Sequence, residues 1–148
     1  MLDIRFSSAL KVMLFLAVAD QKGEPVISSA QLADGLGANA SLVRKLLVPL
    51  VRAGLLTSTK GRTGGTRLAK PAERITLAEI YRCVIGDKPL WNCRPDGEHV
   101  CLVTGHSEAY FAELTATAEQ AVLASLEGRT LADGVRDLWR LHEGQPAS

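Results

Sequence analysis

A chain of 148 residues, 47% hydrophobic and 22% charged, holds enough apolar material for one packed domain and is not disordered or low-complexity throughout. No apolar run reaches the roughly 18 residues that a membrane span needs, no cleavable leader pattern stands out, and three cysteines close no paired disulfide framework, so a cytoplasmic protein without a membrane partner is expected. The net charge of +1 hides an imbalance, because residues 1–70 carry ten Lys or Arg against four Asp or Glu, and residues 71–148 carry seven against twelve.

Residues 4–20 set Ile4, Phe6, Leu10, Met13, Leu14, Ala17 and Val18 at helical spacing, and Gly23 and Pro25 then break the chain. Ser28 followed by Gln31 has the form of a capping box, which starts a short helix that Gly37 ends. Asn39 caps a third helix whose apolar side is Leu42, Val43, Leu46, Leu47, Leu50 and Val51, with a bend expected at Pro49 and a stop at Ala53-Gly54. Helix, tight turn and helix in this order place a second helix in a DNA major groove. Ser41, Leu42, Arg44 and Lys45 lie in its first turns, where side chains reach base edges. Each is also an ordinary surface residue or a phosphate contact.

Residues 55–59 and 66–69 read as two short strands joined by the GRTGG turn at 61–65, a hairpin or wing carrying Lys60, Arg62 and Arg67. Gly64, Gly65 and Thr66 lie where the hairpin backbone would approach a duplex closely. No acidic residue occurs between Asp34 and Glu73, so this segment attracts a polyanion. The bland alternative is a solvated basic face.

Thr76 and Glu79 suggest another capping box, on a helix with Leu77, Ile80, Tyr81 and Val84 that Gly86 closes. Residues 86–106 form the longest irregular stretch, and long ordered loops are often functional. Cys93 and Cys101 lie in it with His99 and His106. Thiol oxidation, a soft metal or iron–sulfur cluster on these four residues, and no chemistry at all remain open, with no cofactor required. Cys83, within the preceding apolar helix, reads first as a small buried hydrophobe and is counted with Cys93 and Cys101 as a candidate sensor thiol. A long helix over 107–126 carries Phe111, Leu114, Ala118 and Ala121, with Val122 beside them, a seam for a second copy in a two-fold dimer. Thr130 and Asp133 cap a last helix, and the chain frays from Gly144.

The expected fold is mainly α with a small β-hairpin, a winged helix-turn-helix followed by a long dimerisation helix. Three segments divide the work: 1–72 for DNA binding, 73–106 for a connecting helix and cysteine sensor loop, and 107–148 for dimerisation and the C-terminal helix. A Cys/His enzyme lacks a placed base and an orienting group. A winged helix used only for protein contacts would not need the acid-free stretch.

The strings LADGLGANASLVRKLL, RAGLLTSTKGRTGGTRLAKP and ITLAEIYR carry a resemblance that extends over nearly the whole chain. It is to the small winged-helix repressors of the IscR, NsrR and CymR types. The resemblance implies a dimeric DNA-binding repressor of a near-palindromic operator, with its signal read in the cysteine loop. By position Asn39 matches the usual Ser cap of the recognition helix, Lys60 falls where a wing Arg is common, and Gly61, Gly64 and Gly65 match directly. Cluster-binding members carry three closely spaced loop cysteines where this chain keeps Cys93 and Cys101. The departure favours a thiol or ligand signal, with an iron–sulfur cluster as the alternative.

Overall fold

The computed structural model describes residues 3–94, 97–98 and 101–145. Six helices and one hairpin follow in chain order: α1 (Arg5–Gln21), α2 (Ser29–Leu36), α3 (Ala40–Arg52), β1 (Leu56–Thr59), β2 (Gly65–Leu68), a 3-10 turn (Ala72–Arg74), α4 (Leu77–Ile85), α5 (Leu102–Glu127) and α6 (Leu131–Glu143).

Local chemistry explains most of these boundaries. Ser28 Oγ accepts the Gln31 N–H at 3.1 Å and Gln31 Oε1 accepts the Ser28 N–H at 2.9 Å, so both directions of the capping box form. Gly37 takes the left-handed conformation at φ 62° that ends α2. The α3 helix runs through Pro49, and its missing N–H leaves the motif intact. At α4 the Thr76 hydroxyl accepts the Glu79 N–H, but the expected reciprocal bond is not formed. Glu79 instead turns to Lys70 at 2.9 Å. At α6 the Thr130–Asp133 box is complete.

The largest departure from expectation is at α5. It begins at Leu102, five residues before the expected Ser107. Cys101 is its N-cap: the sulfur accepts the Thr104 N–H at 3.5 Å, and Thr104 Oγ1 accepts the Cys101 N–H at 3.2 Å. Cys101 therefore sits at a helix start and His106 on the helix, not in an irregular loop.

The core is centred on α1, whose Val12, Met13 and Leu16 are fully buried. Leu32, Val43, Leu50, Leu56, Ile75, Ile80 and Leu131 close around them from the other elements. Each such side chain contributes about 1.5–3 kcal/mol by leaving water. α4 and α6 share this core with α1, α3 and the hairpin. Two backbone clasps fix the layout. Ile27 exchanges hydrogen bonds with Thr66 at 3.0 and 2.8 Å, which docks the hairpin on the strand-like lead into α2. Residues 75–77 exchange them with 129–131 at 2.7 and 2.9 Å, which returns α6 to the core.

By contrast α5 has no buried residue along its 26 positions. It spans about 39 Å and meets the body through α4, where Arg82 pairs with Glu127.

Candidate nucleic-acid interface

The helix α3 splits cleanly by face. Val43, Leu47 and Leu50 are buried against the core, while Ser41, Leu42, Arg44, Lys45, Val48 and Arg52 face outward. The period of 3.6 that buries one stripe necessarily presents the other. Asn39 Oδ1 accepts the Ser41 N–H at 2.7 Å, so this side chain is spent on starting the helix and fixing the angle of its first turn.

The hairpin stands beside this face. Its register pairs Leu56 with Leu68, Thr57 with Arg67, Ser58 with Thr66 and Thr59 with Gly65. A groove of about 660 Å³ lies between α3 and the hairpin, bordered by Arg44, Val48 and Arg52 on one side and by Ser58, Lys60 and Gly64 on the other. The helix α3 and the hairpin thus share one concavity, the arrangement expected of a single gripping surface. Arg62 is exposed in the turn at its end.

Electrostatics reinforces the shape. Among the described residues Arg44, Lys45, Arg52, Lys60, Arg62 and Arg67 form no ion pair with an acid, and Lys70 alone of the acid-free run is matched, by Glu79. Unmatched exposed cations along a groove attract phosphates over a distance of about a Debye length.

Two glycines are required by close approach. A Cβ on Gly65 would come 2.7 Å from the Ile27 carbonyl oxygen, and one on Gly64 would come 2.3 Å from that of Thr59. Their role is to let the hairpin dock and turn. Thr66 stands apart from the other expected contacts: it is 3% exposed, and its backbone holds Ile27. Sequence reasoning passed over Val48, Arg52, Ser28 and Ser58 as groove residues. The outward phase of α3 would have found the first two, but the others required the hairpin to be placed.

The cysteines separate into two groups. Cys83 is half-buried, and its thiol donates to the Pro49 carbonyl of α3 at 3.0 Å. Burial pushes that thiol above its ordinary pKa, which suits a packing role. Cys93 and Cys101 are exposed and not joined to each other. His99 lies outside the described residues. Among the described residues, no three His, Cys, Asp or Glu are placed together to hold a metal ion. The loop's start is held on two sides, by Lys88 on Asp3 at 2.8 Å and by the Leu90 N–H on Glu119 at 3.3 Å. Arg5 and Lys88 together keep the Asp3 carboxyl well below the usual carboxylate range.

Of the expected pairing residues on α5, Phe111, Leu114 and Ala121 are exposed, while Ala118 and Val122 are half-buried. The early start of the helix extends the apolar strip with Leu102 and Val103, 80% and 68% exposed, and Tyr110, 64% exposed, lies on it within the expected span.

Comparison with known proteins bears on this geometry. The model of the Rrf2 family, described as an iron-dependent transcriptional regulator, matches residues 2–137. Protein aau3 of Rhizobium meliloti (strain 1021) is 31% identical over 93 residues, 63% of this chain and 58% of that protein. The HTH-type transcriptional regulator IscR of Cereibacter sphaeroides is 34% identical over 76 residues, 51% of this chain and 49% of that one. The chain spans about half the length of the curated relatives it matches. Among solved structures, CymR (YrzC), the global cysteine regulator of B. subtilis, superposes with a TM-score of 0.67 at 25% identity, covering 92% of this chain and 96% of that one. A chain from Lactobacillus plantarum gives 0.76 at 24% identity, with 95% and 96% covered, a likeness of fold.

Proposed function

The chain belongs to the Rrf2 family of transcriptional regulators, and on that premise we propose that it works as a homodimeric repressor whose grip on a near-palindromic operator is set by the Cys93/Cys101 segment. The observation that carries the DNA half is the groove shared by α3 and the hairpin, bordered by Arg44, Arg52 and Lys60 without acidic partners among the described residues. Ser41, Leu42, Arg44 and Lys45 are assigned to base edges and nearby phosphates, and Lys60, Arg62 and Arg67 to phosphates flanking them. Residues 1–72 carry this surface, 73–106 the connecting helix and sensor segment, whose last five residues already belong to α5, and 107–148 the rest of the pairing helix and its return to the core.

Pairing is assigned to α5. A strip containing Val103, Tyr110, Phe111, Leu114 and Ala121 faces outward at steps of three, four and seven. Exposed apolar surface of this length marks an association site. A two-fold axis through it presents two recognition helices to two half-sites about one helical turn apart.

The signal is assigned to the two exposed thiols. A hydroperoxide takes two electrons and two protons from Cys93 and Cys101, closing a disulfide and leaving water and an alcohol. A closed disulfide pulls on Cys101 and therefore on the first turn of α5, next to the pairing strip. CymR is named the global cysteine regulator of B. subtilis and its fold is close to this one, and IscR, named an HTH-type transcriptional regulator, is 34% identical over 76 residues. Electrophoretic shift on genomic fragments tests the assignment. Specific retardation at low salt supports it, and none at any salt overturns it. Absorption of anaerobically purified protein separates the two signals: a featureless visible spectrum fits thiols, and cluster bands would move the signal to an iron–sulfur centre.

A further inference from the structure

A second concavity, of about 510 Å³, lies away from the α3 groove, between α1, α2 and α6. That volume falls in the about 300–1,000 Å³ range of small-molecule sites. Leu14, Phe15 and Val18 of α1 form its floor, with Ile27 and Leu36 on the α2 side and Leu138 on the α6 side. Two glycines set its walls. A Cβ on Gly35 of α2 would come 2.4 Å from the Phe15 ring, and one on Gly134 of α6 would come 3.0 Å from Leu14 Cδ2. Larger residues at either place would drive those side chains into the open space. Glycine inside a helix costs about 1 kcal/mol against alanine, so the arrangement holds the neighbouring helices close while leaving the floor uncovered.

The charged residues reaching this space are Lys11, Lys22 and Glu24. None of the three forms an ion pair among the described residues. Two cations against one anion leave the mouth net positive over an apolar floor. Lys22 Nζ also lies 6.0 Å from the centre of the Trp139 ring, next along α6 from Leu138. An apolar floor does not suit phosphate backbone, and a cationic rim selects against a neutral hydrocarbon.

We propose that this cavity binds a small amphiphilic anion, its aliphatic chain among Leu14, Phe15, Val18 and Leu138 and its carboxylate at one of the two lysines, Lys11 or Lys22, that stand about three turns apart along α1 at the ends of that floor. The site abuts the DNA-binding apparatus, because α2 forms one wall and Ile27, which lines it, holds the wing through Thr66. The binding itself does not depend on the operator reading and is tested without DNA.

The test uses the full chain under reducing conditions, with octanoate and octanol as probes. Binding is read by calorimetry and by displacement of 1-anilinonaphthalene-8-sulfonate. Wild type should bind octanoate more tightly than octanol. The double substitution Lys11→Glu with Lys22→Glu should weaken octanoate about tenfold, the scale of one charge-assisted hydrogen bond, and leave octanol nearly unchanged. Val18→Phe, which fills the floor, should weaken both. Leu138→Glu, at a position already 43% exposed, gives the same test without burying a larger side chain. Octanoate binding that survives the charge reversal and both wall substitutions overturns the proposal, as does binding lost on Leu114→Glu in α5 instead. A shift to monomer in sedimentation caused by Val18→Phe or Leu138→Glu would also overturn it, by making the groove an interface between copies.

Discussion

Gly65 shows how much a single residue decides. Its missing side chain lets β2 lie against the Ile27 carbonyl, and a methyl group there meets backbone that has no rotamer to escape into. Gly65→Ala should therefore lower stability by about 1–3 kcal/mol in urea unfolding, the usual cost of overpacking, and should weaken DNA binding by tilting the wing. Arg44 and Arg62 differ in kind. Arg44 lies on the outward stripe of α3, in the groove, whereas Arg62 lies in the exposed turn. Arg44→Ala should change the preferred operator sequence and cost about 1–3 kcal/mol on the best site, while Arg62→Ala should weaken all sequences alike and reduce the salt slope by about one. Anisotropy titrations on a small operator library separate these outcomes. Cys83, with its raised pKa and its bond to Pro49, should be alkylated more slowly than Cys93 in the folded protein.

At the scale of elements, caps and faces carry the argument. The start of α6 depends on the Thr130–Asp133 box, and Thr130→Ala should destabilise the protein by about 1 kcal/mol. The Thr130 N–H holds the Asp133 carboxyl below its ordinary pKa. A carboxyl lowered by folding stabilises above its unfolded pKa, and that contribution is lost as pH falls through the folded value. Asp133→Asn should accordingly flatten the acid limb of the stability profile below the ordinary carboxylate pKa. The α5 helix poses the reverse case, an element with no core of its own. Leu114→Glu should move the protein toward monomer in sedimentation velocity and leave the helical circular dichroism of the body nearly intact, because Leu114 is 42% exposed. It should also reduce operator affinity, since one half-site then binds alone.

The molecule as a whole separates charge by function. Six of the ten cations of residues 1–70, Arg44, Lys45, Arg52, Lys60, Arg62 and Arg67, stand on α3 and the hairpin, and the acids of the second half lie chiefly on α4 to α6. A DNA surface that neutralises several phosphates loses affinity linearly in log salt. A slope of about −4 or steeper is expected for a dimer using two copies of the groove, and a slope near zero in filter-binding or anisotropy would contradict the assignment. Peroxide should lower operator affinity in wild type and leave it unchanged in Cys93→Ser and in Cys101→Ser.

Local rules were enough for much of this. The Ser28 box, the left-handed Gly37, the Asn39 cap and the GRTGG turn each depend on neighbours within a few residues, so the sequence alone determined the helix-turn-helix and its wing. The start of α5 is not legible in the sequence, because cysteine is an unusual cap and Gly105 lowers helix propensity; the Cys101–Thr104 bonds set it. What only the tertiary structure decided depends on elements distant in the chain. That includes the groove formed by docking the hairpin on Ile27, the burial of Thr66, the return of α6 to the core of α1, the open strip along α5 and the cavity beneath Leu138. Each arises from backbone pairing or packing between segments dozens of residues apart, where periodicity gives a face but not its partner.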